Sequence, residues 1–196
     1  MLGSAAMPPA VPATEVRARI LGAMADLVAE KGYAAVTIDD LARGARTSKR
    51  TFYDHFPDKQ RCFLAAYEAA ADVVYAAVEQ AAAPGPPWRD RVDAVITAYL
   101  KALAARPEMT RVFHVEILAA GPGALDRHLQ VNLRYVALLR RIVREGGERT
   151  LGQATAIALL GAVHELVLHA IAEGRTRRLP SQAATVRPLI AAALAT

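Results

Sequence analysis

The chain has little cysteine, few aromatic side chains and little net charge, and each shortage narrows the class of protein. One of its 196 residues is cysteine, Cys62, so a disulfide framework or a cysteine-rich zinc module within the chain is excluded. Aromatic residues make up 6% of the chain, but hydrophobic residues make up 54%, which is enough for a core. The 24 lysines and arginines exceed the 19 aspartates and glutamates moderately, which permits a polyanionic partner without requiring one.

Two segments bear on where the chain resides in the cell. Residues 1–13 lack the basic segment and continuous apolar run of a signal peptide, and their prolines predict a flexible tail. The most apolar long stretch, 151–172, carries polar side chains that would be costly at membrane depth, so we expect a protein-buried helix. These side chains are Gln153, His164, Glu165 and His169. We therefore expect a cytoplasmic protein.

The secondary structure is predicted to be helical throughout. Alanine and leucine are abundant, alternating β-branched residues are absent, and turn residues arrive in short clusters. Cutting the chain at those clusters predicts about nine helices and an all-α fold. The predicted helices run approximately over 14–31, 37–43, 48–54, 58–82, 88–105, 108–119, 123–145, 150–173 and 181–195.

Helix length changes near residue 58, which predicts two structural units. Helices before this point are short and bury little surface alone, so they must pack together as one small bundle. The helices after it are long. We expect a flexible tail over 1–13, an N-terminal module over 14–57 and a larger helical body over 58–196.

Two short predicted helices joined by a tight turn form the pattern of a helix-turn-helix motif. Thr37 can cap the first helix, and Asp40 resembles the acidic half of a capping box. The turn is Gly44-Ala45-Arg46-Thr47, and Ser48 can cap the second helix. The pattern directs the polar and basic side chains of the second helix outward while Phe52 packs inside.

The second helix of this motif lies in a concentration of positive charge. Between Arg43 and Arg61 there are six basic and two acidic residues, so most of the chain's excess lies here. A nucleic-acid backbone rewards such a cluster through counterion release. Arg50 is suited to bond guanine bidentately in the major groove, and Lys49 to reach a base or a phosphate.

Backbone contacts are predicted around these two residues. Each candidate singly could belong to a solvated face, and Tyr53 could simply pack, but in combination they favour DNA binding. The predicted contacts beyond Lys49 and Arg50 are Thr37, Arg46, Thr47, Ser48, Tyr53, His55 and Lys59.

These residues also carry a resemblance to a known family. Over roughly residues 15–65 the chain resembles the TetR family of bacterial transcriptional regulators. The resemblance runs through Arg19-Ile20-Leu21, Gly32-Tyr33, Val36-Thr37-Ile38, Leu41-Ala42, Ser48-Lys49, Thr51-Phe52-Tyr53, His55-Phe56 and Lys59. It implies a homodimer that reads a near-palindromic DNA operator and a C-terminal body that binds a small-molecule effector, usually releasing the DNA.

The sequence departs from the family pattern at two positions. Arg46 stands in the turn where the family often has glycine, so we expect the turn to differ slightly and Arg46 to offer an extra cation. Asp54 stands where a second aromatic residue is common, and its carboxylate would repel phosphate unless it pairs with Arg50 or Arg61. These departures keep an alternative open, a helical small-molecule-binding protein whose head no longer binds DNA.

The body is predicted to contain the effector pocket and the dimer interface. The candidate pocket residues are Trp88, Tyr99, Met109, Phe113, His114, Ile117, Tyr135 and His164, although each could be ordinary core. Leu138 and Glu116 are further candidates. The last two long helices combine small residues with leucine and valine, which suits a four-helix interface between two subunits. Pro188 predicts a kink or a late start in the last helix.

The sequence contains no convincing catalytic or metal-binding motif. His164 and His169 resemble a zinc-protease pattern, but they are five residues apart and diverge by about 140° around a helix. No phosphate-cradling loop or nucleophile elbow is present in the sequence. We therefore expect a regulator without catalytic activity, metal or cofactor, in which Cys62 is a small buried thiol.

Overall fold

The computed structural model describes residues 12–147 and 150–195, and the regular elements within those ranges are all helices. The predicted all-α fold is confirmed. The α-helices are α1 Ala13–Lys31, α2 Ile38–Gly44, α3 Lys49–His55, α4 Lys59–Ala81, α5 Trp88–Ala105, α6 Pro107–His114, α7 Ala124–Glu145, α8 Gln153–Ala172 and α9 Ala183–Ala195. Two 3₁₀ helices, Glu116–Ala119 and Thr176–Gln182, stand before α7 and α9.

Three boundaries differ from the prediction. The helix expected over 108–119 ends at His114 and continues as a 3₁₀ turn, which directs Glu116 toward the N-terminal helices. The break expected over 174–180 contains a 3₁₀ helix that includes Pro180. No late start occurs at Pro188, because α9 begins at Ala183 and runs through it. Of the predicted tail over 1–13, residues 1–11 lie outside the described part, and Ala13 already belongs to α1.

The short helices begin at the caps that the sequence predicts. Thr37 and Asp40 form a complete capping box, with the Asp40 N–H donating to Thr37 Oγ1 at 3.2 Å and the Thr37 N–H donating to Asp40 Oδ2 at 3.0 Å. The hydroxyl oxygen of Ser48 accepts from the Thr51 N–H at 3.0 Å. Because such a cap contributes about 1 kcal/mol, helices of one to two turns have fixed starting points.

The N-terminal helices share a hydrophobic core with part of the body, which we call the head core. Ile20 and Met24 of α1 and Phe52 of α3 are fully buried in it. So is Cys62, as expected, and burial raises the pKa of its thiol to about 12, which disfavours a redox role. Ile117, from the 3₁₀ turn after α6, lies in the same core.

A second cluster, the body core, joins the C-terminal half of α4 to α5, α7, α8 and α9. The N-terminal half of α4 packs in the head core, and Val78 near its other end packs in the body core. One continuous helix therefore links both. The division between residues 57 and 58 remains a prediction, and the packing of α4 extends across it.

Helix α8 exposes much of its apolar surface. It is long and apolar enough to cross a membrane, with a mean hydropathy of 1.7, and 22% of its most apolar window is buried. Val163 and Val167 pack in the body core, whereas Ile157 and Leu168 are exposed. The described chain itself therefore covers only part of this helix, and its burial by protein remains a prediction.

Trp88, at the start of α5, packs directly on the backbone of Gly146 after α7. The side chain is 9% exposed, and Arg89 stacks on its ring with its guanidinium carbon 4.4 Å from the centroid. A Cβ placed on Gly146 would overlap the indole ring. Gly146 has an ordinary φ of −73°, so close approach, and not backbone conformation, requires glycine here.

We expect Gly146→Ala to lower the free energy of unfolding by about 1–3 kcal/mol, because the new methyl group forces Trp88 out of its position. Urea unfolding followed by tryptophan fluorescence measures both the stability and the environment of the only tryptophan. Gly152→Ala is the matched control, since its Cβ would meet nothing closer than 3.7 Å. Equal stability of the two variants would contradict the packing argument.

Candidate nucleic-acid interface and effector cavity

Helix α3 presents its basic and polar side chains to solvent, as its sequence predicts. Lys49 and Arg50 are exposed and Tyr53 is 55% exposed, while Phe52 on the opposite side is fully buried. The Tyr53 ring meets Phe52 edge-on at a centroid distance of 5.5 Å, which fixes its orientation at the surface. The outer face of α3 therefore offers a rigid group of donors.

The cations around α3 differ in whether they are already paired. Lys49 Nζ lies 2.7 Å from Asp39 Oδ1, so α2 partly neutralises its charge. Within the described residues, Arg46, Arg50 and Arg61 form no ion pair. Asp54 is exposed and likewise unpaired there, so the pairing expected with Arg50 or Arg61 does not form. Arg50 is the unpaired guanidinium on α3 itself.

The turn between α2 and α3 keeps a left-handed residue although glycine is absent. Arg46 has a φ of +53°, the one positive value among described residues other than glycine. The Arg46 N–H donates to Arg43 O at 3.1 Å and the Thr47 N–H donates to Ala42 O at 2.9 Å. These are the two hydrogen bonds of a Schellman motif. The expectation of an altered turn is therefore wrong, and Arg46 adopts the strained conformation instead.

Lys59 points inward, in contrast to the predicted phosphate contact. Its ammonium group donates to the carbonyl oxygens of Val36 at 2.9 Å and Tyr33 at 3.0 Å, and a third proton reaches Ala34 O at 3.4 Å. It also lies over the Tyr33 ring, 4.4 Å from the centroid. Burial lowers the pKa of this amine. All three ammonium protons are thus directed at the loop before α2, which they hold in place.

The remaining predicted contacts occupy positions suited to phosphate. Thr37 and Ser48 are exposed at the N-termini of α2 and α3, where backbone N–H groups point outward, and His55 is half-buried at the end of α3. Both hydroxyl oxygens already accept capping hydrogen bonds, so a phosphate would share these sites. Contacts to DNA at these residues stay predictions.

The body contains an apolar cavity of about 490 Å³ between α1, α4, α5, α6, α7 and α8. This volume is typical of small-molecule sites. Its lining includes many alanines and, within the described residues, no aspartate or glutamate. Arg106 is its charged residue and is exposed at the mouth. The predicted pocket residues that line it are Tyr99, Met109, Phe113, His114, Tyr135 and His164.

Two predicted pocket residues lie elsewhere. Trp88 packs on Gly146 at the far end of α5, beyond the lining of this cavity. Ile117 is fully buried in the head core. Both are large apolar residues, and hydropathy alone does not distinguish a cavity wall from a core. Leu138 is likewise buried in the body core.

The sequence reading missed the polar residues of α4 and α7 in the cavity. Tyr67, His128 and Asn132 line it together with the predicted His114 and His164. A signal was present, because His128, Asn132 and Tyr135 repeat at helical spacing on α7. Their neighbours from other helices come together only in the folded chain.

Three histidine rings meet at the enclosed side of the cavity. The rings of His114 and His164 are 5.5 Å apart and those of His128 and His164 are 6.0 Å apart, measured between centroids. The Tyr99 hydroxyl lies 3.1 Å from His164 Nε2 and 3.4 Å from His114 Nε2. Burial lowers the pKa of His114 to about 4 and that of His164 to about 3. Both rings are therefore neutral at neutral pH. His169, five residues on, is exposed and pairs with Glu165, so the two histidines point apart as predicted.

Helix α6 connects this cavity to the head. Met109, Phe113 and His114 line the cavity, while Arg111 Nη2 donates to Ala29 O near the end of α1 at 2.9 Å. Arg111 Nη1 also donates to Glu116 Oε1 at 3.0 Å. Glu116 Oε2 in turn accepts from the Tyr33 N–H at 2.9 Å. We call Arg111 and Glu116, with these contacts, the α6 link.

The helix-turn-helix, its exposed basic helix and the attached cavity define the fold of a helix-turn-helix transcriptional regulator with a separate cavity in the body. Residues 20–66, which run from α1 into α4, match the sequence model of the bacterial regulatory proteins of the tetR family. The match covers 47 of the 196 residues and supports membership of the TetR family. The prediction of a regulatory, non-enzymatic protein is confirmed, because the matched family consists of regulatory proteins.

Similar proteins differ in their described roles. The chain is 25% identical over 174 residues to the nucleoid occlusion factor SlmA of Marinomonas sp. (strain MWYL1), covering 88% of this chain and 87% of that protein. It is 30% identical over 89 residues to the transcriptional activator FasR of Mycolicibacterium smegmatis, covering 45% of this chain and 41% of FasR.

Solved structures share the fold. The fatty acid degradation regulator FadR of Bacillus halodurans superimposes with a TM-score of 0.79 at 18% identity, covering 92% of this chain and 95% of that one. FadR of Bacillus subtilis in complex with stearoyl-CoA gives a TM-score of 0.76 at 18% identity, covering 88% and 96%.

We expect Arg46→Gly to be more stable than Arg46→Ala by about 1 kcal/mol, because both remove the guanidinium but only glycine relieves the left-handed conformation. Urea unfolding of the two variants beside the wild type measures the difference. Since both variants have lost the same charge, electrostatics cannot account for it. Equal stabilities would show that the turn relaxes away from a positive φ.

Proposed function

We propose that this protein is a dimeric, effector-responsive transcriptional repressor that binds a near-palindromic operator and releases it when a small molecule enters the body cavity. The observation that carries the proposal is a physical connection. A cavity suited to an apolar ligand and an exposed basic helix, whose Arg50 forms no ion pair within the described residues, belong to one packed unit. They are joined by α4 and by the α6 link.

DNA recognition is assigned to the outer face of α3. Arg50 has no carboxylate partner among the described residues, so it can give two guanidinium donors to a guanine edge. Lys49 would exchange its partner Asp39 for a phosphate or a base. Tyr53, His55, Thr37 and Ser48 would anchor the backbone, with Arg46 and Thr47 beside them in the turn. Lys59 supports this surface by holding the loop before α2.

Dimerisation is assigned to the exposed stripe of α8, together with α9. Ala154, Ile157, Ala158, Gly161, Ala162 and Leu168 recur at helical spacing on the face that the chain does not cover. Leu189 of α9 is 51% exposed. A second copy would bury both helices in a four-helix interface and explain why so apolar a helix is left open. Ala156, by contrast, packs in the chain's own body core.

Coupling is assigned to the α6 link and α4. A ligand against Met109 or Phe113 displaces the helix whose Arg111 and Glu116 hold the end of α1. It also contacts α4, which continues into the head core. Because an effector shifts an equilibrium only by its differential affinity, it must favour the α6 position that misaligns the two heads.

The alternative, a small-molecule-binding protein with a degenerate head, rests on Asp54 and Arg46. Asp54 is exposed and unpaired within the described residues, and would face phosphate uncompensated. Measured binding to DNA from the flanks of its own gene distinguishes the two. Binding no tighter than to random DNA would favour the alternative.

We expect Arg50→Ala to weaken binding to that cognate DNA by about 1–3 kcal/mol, or roughly fivefold to 150-fold, while affecting random DNA much less. Fluorescence anisotropy at fixed salt measures both affinities. Lys101→Ala is the control, because it removes an exposed charge from α5, away from the head. Equal losses on the two DNAs would place Arg50 on phosphate only.

We expect Glu116→Ala to accelerate hydrogen exchange of the Tyr33 amide at least tenfold and to weaken cognate DNA binding, because it releases the end of α1 and leaves Arg111 without its carboxylate. Glu79→Ala is the control, since it removes an ion pair with Arg141 between α4 and α7. Unchanged exchange at Tyr33 would show that the α6 link does not hold the head.

A further inference from the structure

The hydrogen bonds around the histidines fix which nitrogen carries each proton. His114 Nδ1 lies 2.9 Å from the Thr110 carbonyl oxygen, which can only accept, so Nδ1 is protonated. In a neutral ring Nε2 is then an acceptor, and the Tyr99 hydroxyl donates to it. The Tyr99 oxygen consequently accepts from His164 Nε2–H at 3.1 Å.

This series of hydrogen bonds ends at His164 in an acceptor that no other group of the described residues uses. Because neutral His164 carries its proton on Nε2, its Nδ1 holds a lone pair, and no hydrogen-bond partner for that atom exists among the described residues. No buried side-chain nitrogen or oxygen of the described residues lacks a partner, so this atom is not sealed in the core. It belongs to a ring that lines the cavity.

A second series of hydrogen bonds ends at Tyr67 in a donor that no other described group uses. Asn132 Nδ2 donates to His128 Nε2 at 3.0 Å, so the proton of neutral His128 is on Nδ1. That N–H donates to the Tyr67 hydroxyl oxygen at 3.1 Å, which leaves the Tyr67 proton available. The ring of His128 packs beside both Tyr67 and His164, at centroid distances of 6.3 and 6.0 Å.

We propose that this cavity binds an effector with an apolar body and an uncharged hydroxyl group, whose proton is accepted by His164 Nδ1 and whose oxygen accepts from Tyr67. The inference rests on the proposed role of the cavity as the effector site. A hydroxyl supplies one donor and one acceptor, which match the lone pair of His164 Nδ1 and the free proton of Tyr67.

Charged head groups fit this site poorly. A carboxylate can only accept, so it would face the lone pair of His164 with repulsion. The ionisable side chains that surround the site from the packed helices are Tyr67 of α4, Tyr99 of α5, His114 of α6, and His128 and Tyr135 of α7. All are neutral at pH 7, and Arg106 stands at the mouth. A cationic ligand would find no carboxylate in the described lining. A carboxylate or a cation bound beside the histidines would therefore be buried without a partner of opposite charge.

Three probes with the same number of carbon atoms separate the head groups, namely decanol, nonyl methyl ether and decanoate. We expect the wild-type protein to bind decanol roughly threefold to tenfold more tightly than the ether, which cannot donate to His164. Decanoate should bind at least tenfold more weakly than decanol at pH 7.5. Titration calorimetry measures all three, and decanol affinity should be constant between pH 7 and pH 8, because burial lowers the pKa of His114, His128 and His164 below the ordinary value and all three rings are neutral there.

Variants assign the two hydrogen bonds. We expect His164→Leu to abolish the preference for decanol over the ether, because only decanol donates a proton to His164. We expect Tyr67→Phe to weaken the binding of decanol and of the ether alike, because the oxygen of each probe accepts from Tyr67. Tyr75→Phe, on α4 outside the cavity lining, should change neither. The Tyr67 and His164 variants are independent, so a folding defect in one leaves the other informative.

The outcomes separate this inference from the proposed function. Equal binding of decanol and the ether, or tighter binding of decanoate with proton uptake, would overturn the hydroxyl assignment and leave the cavity as an effector site. Binding of none of the three probes would contradict the proposed effector site itself.

Discussion

A single helix that packs in two cores is the constraint on which the rest of this structure depends. The first turns of α4 place Cys62 and Phe63 among the side chains of α1 and α3, and Val78 packs four turns later against α5 and α7. Because close-packed interiors resist gradual deformation, the head cannot change its angle without a shift in one of the two cores. The α6 link adds a second attachment at the end of α1, so the orientation of the DNA-binding helices is fixed at two points.

The same packing explains the electrostatic contrast between the two sites. On α3 the guanidinium of Arg50 is exposed, where it remains hydrated and available to a polyanion. In the cavity, desolvation lowers the pKa values of His114 and His164, so the polar side of the site consists of neutral dipoles. Neutral dipoles recognise groups by the direction of their hydrogen bonds and not by charge. One chain thus combines an exposed basic helix with a cavity whose histidine side chains are uncharged at neutral pH.

The structure of the head could be predicted from the sequence because it depends on local interactions. Parts of the body could not, because they depend on packing between distant segments. Thr37, Asp40 and Ser48 act within four residues of themselves, so their caps and the exposure of α3 followed from spacing alone. The sequence predicts Lys59 as a surface cation that contacts phosphate, but its partners are backbone carbonyls of a loop more than twenty residues earlier. Trp88 and Ile117 are large apolar residues of the kind that line pockets. Only the tertiary structure shows that Trp88 packs on Gly146 and that Ile117 packs in the head core.

The sequence by itself determined the helices, their order, the helix-turn-helix and the basic outer face of α3, because periodicity, caps and turn residues act over short distances. It also placed His164 and His169 on different sides of α8. Only the tertiary structure decided which residues enclose the cavity, since Tyr67, Tyr99, His114, His128 and His164 come from five helices. It alone set the tautomers of the histidines and left α8 uncovered. These properties arise from contacts between distant segments, and their geometry depends on how every helix packs against the others.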